Sequence, residues 1–259
     1  MKKLFLLLLF LINHFIYSLD FKEYKYKITW FNITIGYAYI GVYGIINYQN
    51  EPCYILQTTA YNTKFLQTFY PVNDRIISYW SINKKIPYYS EKKLSEGNYY
   101  RFQKSYFYYE LNEVHWFQKE YSGNIKNRVN RWKYKTGKTQ LIPNTQDILS
   151  AIFFNKVSKK QPYTGAKFSI PLFDDNQLTN LIISITKKEK IKLTINYKSQ
   201  EKIAWIIKPY YKTSGLFRLA GDLTLWVSDD SNRDILKMKA KIPYVGSINV
   251  ELIEIIEKN

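Results

Sequence analysis

Side chains that commonly carry chemistry are sparse in this sequence. Past residue 18 the only histidine is His115, set between Val114 and Trp116 in a strand-like run, and the only cysteine is Cys53. A nucleophilic triad needs an acid and a nucleophile brought to its histidine; nothing close to His115 in sequence supplies them, so a structural role is expected. A zinc site draws on several His or Cys ligands, and one of each does not make one. Asp222, Asp229, Asp230 and Asp234 form an oxygen-rich group. They lack the spacing of a helix–loop–helix calcium loop and read as a polar hairpin turn, as does Asp174-Asp175-Asn176. Paired carboxylates can hydrolyse glycosides, but among 21 acidic residues chance pairs are expected. No glycine-rich phosphate loop is present. The sequence therefore implies no catalytic residue, no metal and no cofactor.

The elements that would position any site are mostly strands. From Phe21 to Tyr48, Tyr24, Tyr26, Ile28 and Trp30 fall on one face with Lys25 and Lys27 opposite, the alternation of a half-buried strand. Phe31-Asn32 reads as a turn into a second strand through Ile35, Tyr37 and Tyr39. Gly36 and Gly41 inside it suggest a bulge or a close backbone approach. Short runs continue at close spacing: Cys53 to Tyr61, Arg75 to Ile82, Pro87 to Leu94, Tyr99 to Glu110 and Val114 to Tyr121. After residue 160 come Lys167 to Phe173, Leu181 to Lys187, Ile191 to Tyr197, Lys202 to Lys208, Asp222 to Ser228, Ile235 to Ile242 and Ser247 to Ile256. One segment departs from this pattern. Ile148, Ala151, Ile152 and Phe154 share a helical face, Thr145 is placed to cap it, and Asp147 suits its positive N-terminal end. The expectation is an all-β, mainly antiparallel domain over 19–259, a two-sheet sandwich or an open barrel with one short helix near 145–157.

The first 18 residues read as a cleavable export signal. Lys2 and Lys3 precede the unbroken apolar run Leu4 to Ile12, and Ser18 is an acceptable residue before a cut. Asn13 and His14 break the run before the about 20 residues that a spanning helix needs. Periplasmic localisation of a soluble product is the resulting expectation. The formal charge of +17 invites a nucleic-acid reading. Against it, only six residues are arginine (Arg75, Arg101, Arg128, Arg131, Arg218, Arg233), lysines are scattered, and export leads away from cytosolic nucleic acid. No nucleic-acid partner is expected; peripheral contact with an anionic membrane surface is compatible with the charge.

Aromatic residues reach 18%, and Tyr99-Tyr100, Phe107-Tyr108-Tyr109 and Pro209-Tyr210-Tyr211 place them on both faces of strands. A core needs one face only, so some could line a groove for an apolar or sugar ligand. Three separated segments carry a resemblance: Tyr26-x-Ile28-x-Trp30 followed by Gly36; Asp147-Ile148-Leu149-Ser150-Ala151-Ile152-Phe153-Phe154; and Leu225-Trp226-Val227-Ser228-Asp229-Asp230 with Lys237 to Lys241 and Gly246-Ser247-Ile248 beyond it. In this order they resemble the DUF3108 family of exported bacterial proteins. Ile148 stands where the family's middle motif usually has proline, and Asn155-Lys156 where an arginine tends to follow. The resemblance implies an antiparallel β fold in the periplasm and brings no activity. Trp30, Tyr37, Asp147 and Trp226 are the candidate binding residues. The functional expectation is non-enzymatic binding of a lipid, glycan or other cell-envelope ligand, with an envelope assembly scaffold for a protein partner as the alternative. An outer-membrane barrel and a hydrolase are the remaining readings.

Overall fold

The computed structural model describes residues 19–123, 132–157, 161–210, 222–242 and 246–258. The segment 1–18, read as an export signal, lies outside them, as do Arg128, Arg131, Tyr211 and Arg218. The alternating runs form β1 (Lys22–Trp30), β2 (Ile33–Tyr48), β3 (Glu51–Asn62), β4 (Asn73–Ser81), β5 (Pro87–Glu96), β6 (Tyr99–Tyr108), β7 (Glu113–Ser122) and β8 (Lys133–Gln140). The second half forms β9 (Gln146–Asp147), β10 (Lys167–Asp174), β11 (Gln177–Ile195), β12 (Lys198–Tyr210), β13 (Asp222–Ser228), β14 (Ile235–Ile242) and β15 (Gly246–Glu257). A single-turn helix, α1 (Lys64–Gln67), joins β3 to β4, and α2 (Ile148–Val157) follows β9.

All 15 strands hydrogen-bond in one sheet, in the order β8-β7-β6-β5-β4-β3-β2-β1-β15-β14-β13-β12-β11-β10-β9. Every pair is antiparallel except β9 with β10. Pairing runs without a break, so the strands do not divide into the two sheets of a sandwich. The sheet is also not closed: β8 and β9 are its edges. It curls instead. Tyr54 and Trp80 on β3 and β4 share one core with Ile185, Trp205 and Val227 on β11 to β13, and Leu149 and Phe153 of α2 pack inside the same core. Tight turns are made largely without glycine. Phe31-Asn32, Gln49-Asn50, Asp175-Asn176 and Asn196-Tyr197 each hold two successive positive φ angles, the two-residue geometry whose twist matches that of the flanking strands. At Gly36 a Cβ would lie 2.5 Å from the Tyr61 carbonyl oxygen, which explains the glycine inside β2.

Two sequence expectations need correction. Leu181–Lys187 and Ile191–Tyr197 are not separate strands; up to Ile195 they form the single 19-residue β11, bent by a bulge between Ile185 and Lys187 and followed by the Asn196-Tyr197 turn. The break left between them falls inside the strand, where three of the four residues Lys187-Lys188-Glu189-Lys190 are exposed. The helix also starts at Ile148 rather than Thr145. Thr145 does not cap it: its hydroxyl donates to the Ile142 carbonyl at 2.7 Å. Asp147 is the cap, its Oδ1 accepting from the amides of Leu149 (2.8 Å) and Ser150 (2.9 Å). Ser150 Oγ in turn accepts from the Asp147 amide at 2.9 Å, a reciprocal arrangement that satisfies donors otherwise orphaned at a helix start.

Candidate functional site

The inner face of the sheet has two chemical characters. On β11 to β13 it is apolar: Ile183, Ile185, Trp205, Ile207 and Val227 point inward. Between these strands, β10 and the last turns of α2 lies a cleft of about 850 Å³. Its walls are Phe154 of α2, Phe168 and Ile170 of β10, and the inward residues just named. One end is polar, formed by Ser228, Asp229, Asp230, Ser231 and Arg233 of the β13–β14 turn with Asn155 and Lys156 of α2. An apolar body with a few polar groups at one end, within the ~300–1,000 Å³ range of small-molecule sites, is the usual composition of a ligand pocket.

The polar end is held rigidly. Trp205 Nε1 donates to Asp229 Oδ1 at 2.6 Å, and Lys188 Nζ lies 2.6 Å from Asp229 Oδ2. The same ammonium sits 4.3 Å above the Trp205 ring. Arg233 donates to the Asn155 carbonyl at 3.0 Å, and Lys156 pairs with Asp234 while reaching the Asn232 carbonyl and the Tyr24 hydroxyl, each at 3.2 Å. These bonds fasten the β13–β14 turn to the end of α2. The carboxylates of Asp229 and Asp234 are committed to neighbours, so this rim suits contact with a ligand better than proton transfer. Among the described residues no group of three or more His, Cys, Asp or Glu side chains is arranged to hold a metal ion.

On β4 to β8 the inner face is polar instead, and the β10–β11 turn plugs into it. Lys92 Nζ lies 2.5 Å from Asp174 and 3.6 Å from Asp175, and Arg101 is 2.9 Å from Asp175. Asn176 accepts from Gln103 at 2.9 Å and donates to Gln118 at 2.7 Å, while its carbonyl accepts from Thr139 at 2.8 Å. The turn expected at Asp174-Asp175-Asn176 is present, but it is a buried latch that ties β10 and β11 to β5 through β8. A cavity of only about 10 Å³ remains beside it, next to Asp147.

The candidate residues are dispersed. Asp147 is buried under the cap geometry, and Ser78 Oγ donates to its Oδ2 at 2.5 Å. Tyr37 and Trp226 lie outside the cleft, and Trp226 is half-buried against the main core. Cross-strand pairing places them in one row, Trp226–Lys237–Glu251–Lys27–Tyr37, because directly opposed residues share a face. Trp226 Nε1 donates to Glu189 at 2.5 Å, and the Tyr37 ring centroid is 6.4 Å from that of Tyr61. Trp30 sits at the end of β1, its ring 5.1 Å from Phe31. None of the four lines the cleft. His115 is also remote from it: its Nε2 is 2.6 Å from Glu113, and its ring is 4.7 Å from Tyr108. Cys53 is buried on β3, and burial pushes its thiol up to about 12. Sequence reasoning missed the cleft itself. The signal was Ile203-Ala204-Trp205-Ile206-Ile207, a short run apolar on both faces and followed far along the chain by Asp229-Asp230.

The motif segments named for their family resemblance are spread through this geometry, at β1, at the helix cap and at the cleft rim. The profile of the family described as "Protein of unknown function (DUF3108)" matches residues 25–253. The chain belongs to the DUF3108 family. No curated protein matches it. Among solved structures it is similar to the crystal structure of a β-barrel-like protein of the domain of unknown function DUF1849 from Brucella abortus. The TM-score is 0.56 at 9% identity, covering 93% of this chain and 99% of that one. At this identity the likeness concerns the fold, an open barrel-like sheet, and places this DUF3108 member beside another family of unknown function.

One acidic pair in the family member has a titration of its own. Asp74 on β4 and Glu96 on β5 share a site; burial, then the neighbouring Asp74 carboxylate, pushes Glu96 up from 4.5 to about 7. A raised carboxyl binds its proton more tightly folded than unfolded, so this contribution falls as pH rises between 4.5 and about 7. Glu96→Gln is expected to melt higher than the parent at pH 8, by order of 1 kcal/mol after allowance for solvent screening. The advantage should shrink toward pH 4.5. Thermal melts at both pH values check it; a constant difference would show that the pair does not titrate.

Proposed function

We propose that this DUF3108 protein is an exported, non-enzymatic binding protein that holds an apolar chain, such as the acyl part of an envelope lipid, in the cleft between α2 and β10 to β13. The observation that carries this reading is the cleft of about 850 Å³ with apolar walls and a hydrogen-bonded polar rim at one end. Each methylene moved from water into such walls contributes about 0.8 kcal/mol, and a rim already fixed by Asp229, Lys188 and Arg233 adds little ordering cost on binding. The apolar walls favour a lipid over a glycan, which needs polar partners along its length. The row of Lys27, Glu251 and Lys237 on the outer face argues against an outer-membrane barrel, whose lipid-facing band is apolar. The scaffold alternative has one observation behind it, the open edge strand β8. That edge carries Lys133, Lys135 and Lys138, charges that commonly guard an edge against pairing, so the cleft is the stronger basis.

The test is titration with cis-parinaric acid, a fluorescent polyene fatty acid, followed by energy transfer from tryptophan. Saturable binding is expected. Ile183→Trp, which adds volume to the cleft wall, should weaken it by at least about tenfold with the melting temperature little changed. Absence of saturable binding, or equal binding by the folded variant, would remove the cleft as the site.

A further inference from the structure

The end of the barrel away from the β13–β14 turn carries an apolar edge that the cleft does not explain. Here the β1–β2 turn and the β3–β4 connection lie side by side, joined where the Thr63 amide donates to the Ile35 carbonyl at 2.9 Å. Phe31 is 70% exposed, Ile33 66%, Phe65 74% and Phe69 73%, with Trp30 and Tyr70 beside them. Isolated apolar residues on a surface are ordinary, but a contiguous set marks an interaction site.

Two features show that the backbone is built to hold these rings in water. Phe31 occupies the first central position of its turn at φ +46°. A bulky side chain is disfavoured in that left-handed region, where asparagine, aspartate or glycine is the usual choice. The comparable position in the other paired turns is Gln49, Asp175 or Asn196. The second feature is α1. A lone turn of helix is unstable by itself, and α1 buries none of its residues. Asn62 holds the connection instead: its Nδ2 donates to the Tyr70 carbonyl at 2.5 Å, its Oδ1 accepts from the Val72 amide at 3.2 Å, and its carbonyl accepts from Gln67 at 2.9 Å. The rings sit on the β1–β2 turn and the β3–β4 connection, and none of them lines the cleft. Lys64 lies on α1, Lys208 near the same end of β12, and Lys239 pairs with Asn249 close to the β1 end; all three are exposed. No carboxylate is within ion-pair distance of these three lysines among the described residues.

We propose that this edge is a docking surface for an anionic lipid bilayer, with Phe31, Ile33, Phe65 and Phe69 entering the interface and Lys64, Lys208 and Lys239 facing the headgroups. Exposed aromatic turns flanked by cations match the two attractions of such a surface, apolar insertion and headgroup charge. The surface is distinct from the cleft: none of its residues lines the cleft walls.

Flotation of the full chain with phosphatidylglycerol–phosphatidylcholine vesicles tests it, against pure phosphatidylcholine vesicles and against raised salt. Binding to the anionic vesicles is expected, weakened by salt. Phe31→Ser/Phe65→Ser/Phe69→Ser should lower it at least about tenfold, and Lys64→Glu/Lys208→Glu/Lys239→Glu should remove its preference for anionic lipid. All six positions are exposed, so an unchanged melting temperature confirms that both variants fold. No flotation of the parent, or equal flotation of the serine variant, overturns the proposal. Dimerisation that the serine variant abolishes, without vesicle binding, also overturns it and assigns the edge to a second copy of the chain. Parinaric acid binding should survive in both variants, which separates failure here from failure of the cleft.

Discussion

Asp147→Ala is expected to lower stability by about 3 kcal/mol, the sum of a lost helix cap, near 1 kcal/mol, and buried donors left without an acceptor, about 1–3 kcal/mol. Three donors converge on this carboxyl: the amides of Leu149 and Ser150 and the hydroxyl of Ser78. The last comes from β4, so one side chain both starts α2 and pins it to the sheet. Burial pushes the carboxyl up from its ordinary value, while the hydrogen bonds from Ser78, Ser150 and Leu149 pull it back. Burial is the larger effect, so the negative charge itself is a cost that the contacts offset. Asp147→Asn should therefore retain most of the stability, because asparagine caps as well as aspartate and carries no charge to desolvate. With a raised carboxyl the stability contribution falls as pH rises from 3.8 through the folded value, so the asparagine variant should gain on the parent at neutral pH and lose that gain in acid. Urea unfolding at pH 4 and pH 7 measures both. If asparagine costs as much as alanine, the charge is needed, and the placement of burial above the hydrogen bonds is wrong.

The same residue shows how much of the molecule could be read from the sequence. That Asp147 sits at a helix start follows from local chemistry: an acid, then a helical face of Ile148, Ala151, Ile152 and Phe154. Its bond to Ser78 joins residues 69 apart and has no local signature. Strands were legible wherever alternation was clean, as in β1, and turns wherever asparagine or aspartate marked them. The break read between Leu181–Lys187 and Ile191–Tyr197 misled because exposed strand and turn share a composition, and only the pairing of Lys187 to Lys190 with Ile203 to Ile206 on β12 distinguishes them. Composition also could not choose between a sandwich and a curled sheet. Both need the same alternating strands, and the choice lies in whether pairing continues through β1 and β15, which join the two ends of the chain. The cleft escaped for a related reason: its walls come from α2, β10, β11, β12 and β13, each contributing apolar residues that look like ordinary core. Aromatic residues were the visible signal, and none of the candidates drawn from them lines the cleft.

Lys92→Met is expected to destabilise the fold by about 3 kcal/mol, comparable to breaking a buried ion pair from one side. Lys92 and Asp174 are both largely shielded, and Lys92 is the cation paired with the Asp174 carboxylate at 2.5 Å. Asp175 keeps Arg101 at 2.9 Å when Lys92 is gone; Asp174 keeps no ion pair among the described residues. The reverse substitution should be milder. Asp174→Ala leaves Lys92 within 3.6 Å of Asp175, so the cation retains a partner. This asymmetry distinguishes a directed latch from a generic loss of charge, which would make the two substitutions equal. The double variant Lys92→Met/Asp174→Leu should recover most of the loss, since apolar replacement of a whole buried pair is often neutral or favourable. Hydrogen exchange should locate the effect. Opening of the latch frees the β10–β11 turn from β5 to β8, so protection should drop in both groups of strands in Lys92→Met, while β1 and β15 at the centre of the sheet stay protected. Loss confined to β5 would mean that the turn is held by Asn176 and its partners Gln103, Gln118 and Thr139, and that the ion pairs contribute only locally.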